Sequence, residues 1–534
     1  MILHLNNNDL HLHYFQPRIN SSRNIKGLKI MHYKKLIIFG ALLIVLIFSS
    51  SLVKAIEKPK TMEDMWKIIE AQQKQIDALQ ASGTKNNENT TPVNTTQKPD
   101  NKEATSIAKN PENKVEVSAV KSLERKTNIL SAEVEKLRTN LAIPEEAQLK
   151  GAYGLGPAAS KIYQVGKGLS IGGYGEAFYK DILGDQSGKM NSNGTLKTPS
   201  TADLQRMVLY VGYKFSDRIL FNSEIEFEHG TTGSGSDSKG EVSVEFASLD
   251  FFIDPLANIR TGLMLMPMGL VNRIHEPLFF FGNNRPVVET TIIPSTWREM
   301  GVGAFGSITP ELSYTAYVVN GLDAEYFGSA GIRKGRGSGT RALANDLGYV
   351  AQLNYDPDAL PGVNIGTSAY VGNSGQDQSY AGQKVNAFTQ LYESHLQWKY
   401  RGLEFRALGS MGFINDSAAL SANNKLLGNT YGKGPVGSEN YGWYSELGYD
   451  VLPLIFNDTT QYLAPFFRYE KLNTMAEVAE GITADPLTDQ RIFQVGLQYK
   501  PMSQVVIKAD YRNFSTPSGV ALPDDFNLGF GFIF

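Results

Sequence analysis

The feature that most constrains this chain is a change of period. Beyond Lys167, apolar residues recur at every second position, the spacing of a strand with two unlike faces. Over residues 206–215, Met207, Leu209, Val211, Tyr213 and Phe215 point one way, and Arg206, Tyr210, Gly212 and Lys214 point the other. Ile219, Phe221, Ile225 and Phe227 alternate with Leu220, Asn222, Glu224, Glu226 and Glu228. Near the C terminus, Val505, Ile507, Ala509 and Tyr511 oppose Gln504, Lys508, Asp510 and Arg512. Alternation alone admits any half-buried antiparallel sheet. The connections narrow the choice. Roughly sixteen runs of about 8–14 residues fit between Lys167 and Phe534, and their joints alternate strictly between tight and long. The tight ones include 216–217, 254–258, 309–310, 356–362, 400–402 and 501–502. The long ones are 182–200, 229–240, 268–296, 320–345, 373–384, 413–440, 471–489 and 513–523. Short turns at one end and long loops at the other predict an all-β membrane protein: an antiparallel transmembrane β-barrel of about sixteen strands.

That architecture accounts for the composition. The chain has 534 residues, 42% hydrophobic and 20% charged, with 51 Gly, 27 Phe and 25 Tyr. Mean hydropathy is only −0.24, because half of each strand is polar. With one long apolar run, a bundle of membrane helices is excluded. A net charge of −3 argues against nucleic acid as a partner. The absence of cysteine excludes disulfides and thiolate metal sites, and suits a passage through an oxidising periplasm. Aromatics crowd the strand ends, as at Trp398, Tyr400, Tyr441, Trp443, Tyr444 and Tyr449, like the girdles of a barrel in lipid. The last residues, Phe526, Phe530, Phe532 and Phe534, look like the signal read by the outer-membrane assembly machinery.

The N-terminal third reads differently. Residues 36–48 (LIIFGALLIVLIF) follow Lys34 and Lys35 and precede Val53-Lys54-Ala55, the order of a secretory signal peptide cleaved after Ala55. An uncleaved anchor is the alternative. The polar stretch before Met31, with His4, His11 and His13, is best explained by translation starting at Met31; thus 1–55 is extension and signal. Residues 56–82 carry Met62, Met65, Ile69, Ile76 and Leu79 at a and d positions, with Gln72 the polar exception. A low-complexity linker, 83–114, separates them from a second heptad segment, 115–143, with Val120, Leu123, Thr127, Leu130, Val134, Leu137 and Leu141. Pro144 ends it; 144–167 reads as a further linker and 168–534 as the barrel. The two segments predict an N-terminal α-helical coiled coil, hence a homo-oligomer, or else an amphipathic helix pair lying on the same chain. Localisation follows: the outer membrane of a Gram-negative bacterium, with the N-terminal region in the periplasm.

Phasing places Glu224, Glu226, Glu228, Glu404, Arg406, Glu446, Arg468, Lys508, Asp510 and Arg512 in the lumen. The signs are mixed, and the Glu224, Glu226, Glu228 row would favour cations locally. The loop 268–296 is too apolar to wave in water, with Leu278, Phe279, Phe280 and Phe281, and too charged to be a membrane strand. Its charges, with the strand that follows, are Arg273, Glu276, Arg285, Glu289, Arg298 and Glu299. Such a loop folds inward and narrows the pore, or latches onto a neighbouring subunit. Pro286 followed by Val-Val-Glu marks a short helix within it. Arg333, Lys334, Arg336 and Arg341 form a basic patch that could gather anions at the mouth or be a solvated tip.

Here the chain resembles a known group. GNNRPVVETTIIPSTWREMGVGAFG (282–306), preceded by MGLVNRIHEP, is similar to the phosphate-selective porin O and P family and related trimeric Gram-negative porins. The resemblance runs from about Leu169 to Phe534. It implies a sixteen-stranded, trimeric diffusion channel with inward loops as constriction, and, by analogy with dicarboxylate porins, accommodates a coiled coil after the signal. Phosphate selectivity is not carried across, because that rests on an arginine row and a deep lysine cluster that this sequence does not display. A second function is a structural anchor, its coiled coil reaching peptidoglycan. An enzyme is not expected, and neither cofactor nor metal is called for: His229, His275 and His395 adjoin no serine motif.

Overall fold

In the computed structural model, residues 151–183, 200–232, 240–428, 433–456, 459–520 and 522–534 are described. The start at Met31, the signal segment, both heptad segments and the linker between them lie outside those residues. The chain divides into two compact units, Met1–Lys109 and Asn110–Phe534, and all the described residues belong to the second.

Strands β1 (Gly168–Leu183), β2 (Thr201–Ser216), β3 (Ile219–Glu228), β4 (Glu241–Asp254) and β5 (Ala257–Leu265) open the sheet. After a long inward loop come β6 (Arg298–Ser307), β7 (Leu312–Asn320), β8 (Leu347–Tyr355) and β9 (Val363–Gly372). A two-stranded hairpin, β10 (Ser379–Tyr380) with β11 (Gln383–Lys384), decorates the next loop. The wall then continues through β12 (Thr389–Tyr400), β13 (Leu403–Ile414), β14 (Glu439–Tyr449) and β15 (Tyr462–Glu477). It ends with β16 (Asp489–Met502), β17 (Val505–Ser515) and β18 (Asp524–Ile533). Leaving out β10 and β11, sixteen strands form a closed antiparallel barrel in which β18 pairs with β1. Phe534 completes the seam by exchanging both backbone hydrogen bonds with Gly173. Closure leaves no unpaired strand edge, the condition for β-structure in lipid. Among the described residues no helix is long and apolar enough to cross a membrane.

The pleat sorts side chains as the alternation requires. Met207, Tyr213, Phe215, Phe227, Leu497, Ile507, Leu528 and Phe530 are exposed on the outside, whereas Glu224, Glu226, Arg468, Lys508 and Asp510 are buried within. Outer-face aromatic pairs gather beside the short turns: Tyr213 with Phe215 at 5.0 Å and Trp398 with Tyr400 at 6.2 Å. One joint departs from the strict alternation of lengths. The connection 450–461 lies on the short-turn end but is long. Asp450 Oδ1 closes it by accepting the backbone N–H groups of Leu452 and Leu463, and Leu454, Ile455 and Phe456 stand exposed at its tip.

Residues 151–167 are not the free linker that their composition suggests. They include helix α1 (Lys161–Gln164) and lie on the inner face of β1–β5 near the short-turn end. Asn222 donates to the Ala159 carbonyl at 2.9 Å, and Tyr163 bridges Asp250 and Arg260. Ile162 is buried against Gly212, where a Cβ would collide with it. Tyr153 packs with Tyr163, Phe252 and Phe305.

Candidate functional site

The lumen is crossed by the loop between β5 and β6. Asn272 clasps its base: the side chain donates to the carbonyls of Met266 (2.7 Å) and Trp297 (3.2 Å) and accepts the Trp297 backbone N–H at 2.7 Å. Two glycines set its turns. Gly269 and Gly282 both have φ near +72°, a conformation costly for any residue with a Cβ. The helix within it, α2 (Val288–Thr291), begins just after Pro286, and Glu470 on β15 accepts the Val288 N–H at 3.0 Å.

The far wall, β13–β18, grips the loop by its carbonyls. Lys508 Nζ donates to Phe280 and Gly282, both at 2.9 Å, and Lys500 Nζ donates to Leu278 at 3.0 Å. Arg468 donates to Phe281 (2.8 Å) and Asn284 (3.3 Å) while its Nε bonds Glu446 at 2.7 Å. Asp510 accepts from both the backbone and the side chain of Asn283. The Phe280 and Phe281 rings lie under Lys508 and Arg406, and Phe281 stacks on Phe466 at 5.0 Å. These basic side chains, two lysines among them, face the loop backbone, where each cation meets carbonyl dipoles. The remaining wall charges pair among themselves: Arg406 with Glu446 and Glu404, and Arg512 with Asp525.

The six charges of the loop and landing strand are placed apart. Glu289 Oε2 accepts the backbone N–H groups of Leu270 and Val271 and its Oε1 accepts the Tyr444 hydroxyl, so it staples the loop to itself and to β14. Glu276 Oε1 accepts from Ala158 (3.0 Å) and Ala159 (3.3 Å), tying the loop to the segment before β1. Burial pushes the Glu276 carboxyl up to about 8, against the pull of those two N–H groups. Arg273 bonds Gln352 and reaches Thr315. Glu299 accepts from Trp297, Asn320 and the Gly337 backbone. Arg298 pairs with Glu245 at 2.7 Å, and Arg285 reaches the His275 carbonyl at 3.5 Å with its Nε unpartnered.

The near wall carries the glutamate row. Arg206 lies 3.1 Å from Glu176 and 3.5 Å from Glu226, so the row is partly neutralised by a strand neighbour. Glu226 and Glu228 border a cavity of about 280 Å³ on the long-loop side of the inward loop, with Arg206, Arg285, Arg333 and Arg512 on its rim. A second cavity, about 1000 Å³, opens on the short-turn side and is lined by Tyr153, Arg273, Gln352 and His395 among others. The basic patch of the 320–345 loop is divided between two settings. Arg333 and Arg336 donate to the carbonyls of Thr290, Ser295 and Thr296, while Lys334 and Arg341 are exposed. His395 is paired with Glu393 at 2.6 Å, and His229 with Asp203 at 2.6 Å.

Sequence reasoning missed Asn272, Glu470, Lys500 and the segment 151–164, and it read Tyr444 as a girdle aromatic, whereas the ring is buried inside the barrel with its hydroxyl on Glu289. For Lys500, Tyr444 and Glu470 the strand phase was available from Lys508, Glu446 and Arg468; Asn272 carries no period to mark it, and the partners of 151–164 are remote in sequence.

An uncharacterized protein of Aquifex aeolicus (strain VF5) is 37% identical over 368 residues, spanning 67% of this chain and 78% of that one. The chain belongs to that protein's family. No family model matches the sequence. Among solved structures, the outer membrane channel DcaP of Acinetobacter baumannii is 15% identical, covers 68% of this chain and 97% of its own, and superposes with a TM-score of 0.44. Salmonella typhi OmpF in complex with daunomycin is 13% identical, covers 69% and 98%, and gives a TM-score of 0.45. Likenesses of that size say nothing of cargo.

Proposed function

We propose that this member of the Aquifex protein's family is an outer-membrane porin, a passive channel for small hydrophilic solutes or ions, with the loop between β5 and β6 as its constriction. The observation that carries the reading is the loop's mounting: it leaves one wall, crosses the lumen and is hydrogen-bonded to the opposite wall, with a cavity on each side. A closed barrel with an apolar exterior and an ionic interior belongs in lipid with water inside. In this reading the charges on the rim of the long-loop-side cavity meet the permeating solute, while Glu289, Glu299 and the far-wall cations hold the constriction in shape. The resemblance of residues 282–306 to the phosphate-selective porin group supports a trimer, the heptads within 56–143 support a coiled coil on the periplasmic side, and the C-terminal aromatics support assembly through Phe534. Reconstitution into a planar bilayer tests the proposal: stepwise conductance is expected, and folded barrels that give none contradict it.

A second reading, an anchor tethered to the cell wall, is favoured by one observation. The chain enters the barrel from the short-turn end through a segment bonded to both wall and loop, so force on the preceding residues would reach the barrel. Deleting 62–141 should weaken the envelope and leave conductance unchanged if the tether reading holds.

A further inference from the structure

Between the two cavities, three buried side chains meet whose chemistry is unspent: His275 from the loop, Glu224 from β3 and Glu245 from β4. Each offers one ligand atom, and all three atoms lie within 4.8 Å of one another. The tautomer of His275 is set by its surroundings. Its Nδ1 lies 3.0 Å from the Asn272 carbonyl, which can only accept, so Nδ1 carries the proton. The lone pair on Nε2 then faces Glu224 Oε1 at 3.0 Å and Glu245 Oε2 at 3.9 Å. Acceptors that point at one another in a buried place are held together by a shared proton or by a cation, and a cation satisfies all three at once.

Independent signs agree. Glu245 Oε2 and Glu224 Oε2 have no hydrogen-bond partner, although both residues are wholly buried. The surroundings are those of held ligands: Asn272 is fixed by two carbonyls, and Arg298 orients Glu245 through its other oxygen at 2.7 Å. Glu226 adds a third carboxylate beside Glu224 and Glu245, and Arg206 and Arg298 each pair with one of them. Bonds of about 2.0–2.2 Å to nitrogen and oxygen put neighbouring donors roughly 3–3.5 Å apart, close to the spacing seen.

We propose that His275, Glu224 and Glu245 bind a divalent transition-metal ion, of which Zn²⁺ is the test case. Imidazole with carboxylates favours such an ion over Mg²⁺ or Ca²⁺, which prefer all-oxygen shells. The ion joins the loop to the near wall, opposite the far-wall lysines and arginines that hold its other side. The inference goes beyond the channel reading, since metal uptake is measured without any conductance.

The test uses the full chain, stripped with EDTA in detergent and equilibrated with micromolar Zn²⁺, with bound metal counted by elemental analysis. Folding is checked by heat-modifiable gel mobility. Because His4, His11 and His13 can add background where that segment is retained, the deciding quantity is the difference between wild type and His275→Ala. Wild type should hold about one more Zn²⁺ per chain than His275→Ala, and Glu245→Gln should bind it at least tenfold more weakly. Should His275→Ala fail to fold, the near-isosteric Glu224→Gln takes its place with the same expectation. Equal Zn²⁺ in wild type and the folded variants overturns the proposal, as does displacement of the ion by an equal concentration of Mg²⁺.

Discussion

The two walls of the lumen use the same residue types to different ends. On the far wall, Lys500, Lys508, Arg468 and Asp510 spend their hydrogen bonds on the loop backbone. On the near wall, Arg206, Glu224, Glu226 and Glu245 each keep at least one buried atom without a hydrogen-bond partner, and so do Arg285 and Arg298 facing them. A buried polar atom left unpaired is costly. The far wall has such atoms too, at Arg406, Asn440, Gln498 and Asn527, but none on the four side chains that grip the loop. Charge in a lumen is therefore no guide to its role until its partners are known.

Substitutions should separate the walls in order of size. Arg468→Ala removes the cation shared by Glu446, Gln494 and two loop carbonyls. Breaking a buried pair on one side costs about 3–5 kcal/mol. The expected outcome is a lower unfolding midpoint and a loop newly open to protease, both read on the folded barrel. Glu289→Gln is next: the neutral side chain is a poorer acceptor for Leu270, Val271 and Tyr444, with a loss of about 1–3 kcal/mol in denaturant titration. Arg285→Ala on the rim, and Arg298→Ala at the partner of Glu245, should shift the reversal potential in a salt gradient towards cations, on the order of twofold in permeability ratio, with Arg285→Ala disturbing the fold less. No shift would place the filter elsewhere.

The smallest effect is one of pH. Glu276 is raised in the folded state to about 8, above its ordinary carboxyl value. The folded chain then holds a proton that the unfolded chain has lost. Its contribution to stability is complete below the ordinary value and declines as pH rises towards about 8. The contact with Ala158 and Ala159 should therefore loosen across that window, seen as faster cleavage within 151–160 at pH 9 than at pH 5. Glu276→Gln should flatten the difference.

Much of this was legible in the chain. Strand phase follows from alternation, so Glu224, Glu226, Arg468, Lys508 and Arg512 could be assigned to the inside. The excess of both apolar and charged residues marked out the loop. What alternation cannot give is pairing across the lumen. Asn283 meets Asp510 and Lys508 meets Phe280 only because the barrel closes, more than two hundred positions apart in sequence. The short segment 151–164 escaped for the opposite reason. It is too brief to show a period, and Gly156 and Ala158 gain meaning only from the Glu276 carboxylate beside them.

In the proposed channel the loop, held on its far-wall mount, sets the width of the path. The most direct measurement is single-channel conductance of the wild type beside a variant in which residues 273–292 are replaced by a short Gly–Ser link. A clearly larger unitary conductance in the shortened, folded barrel is the predicted result. An unchanged conductance would contradict the account.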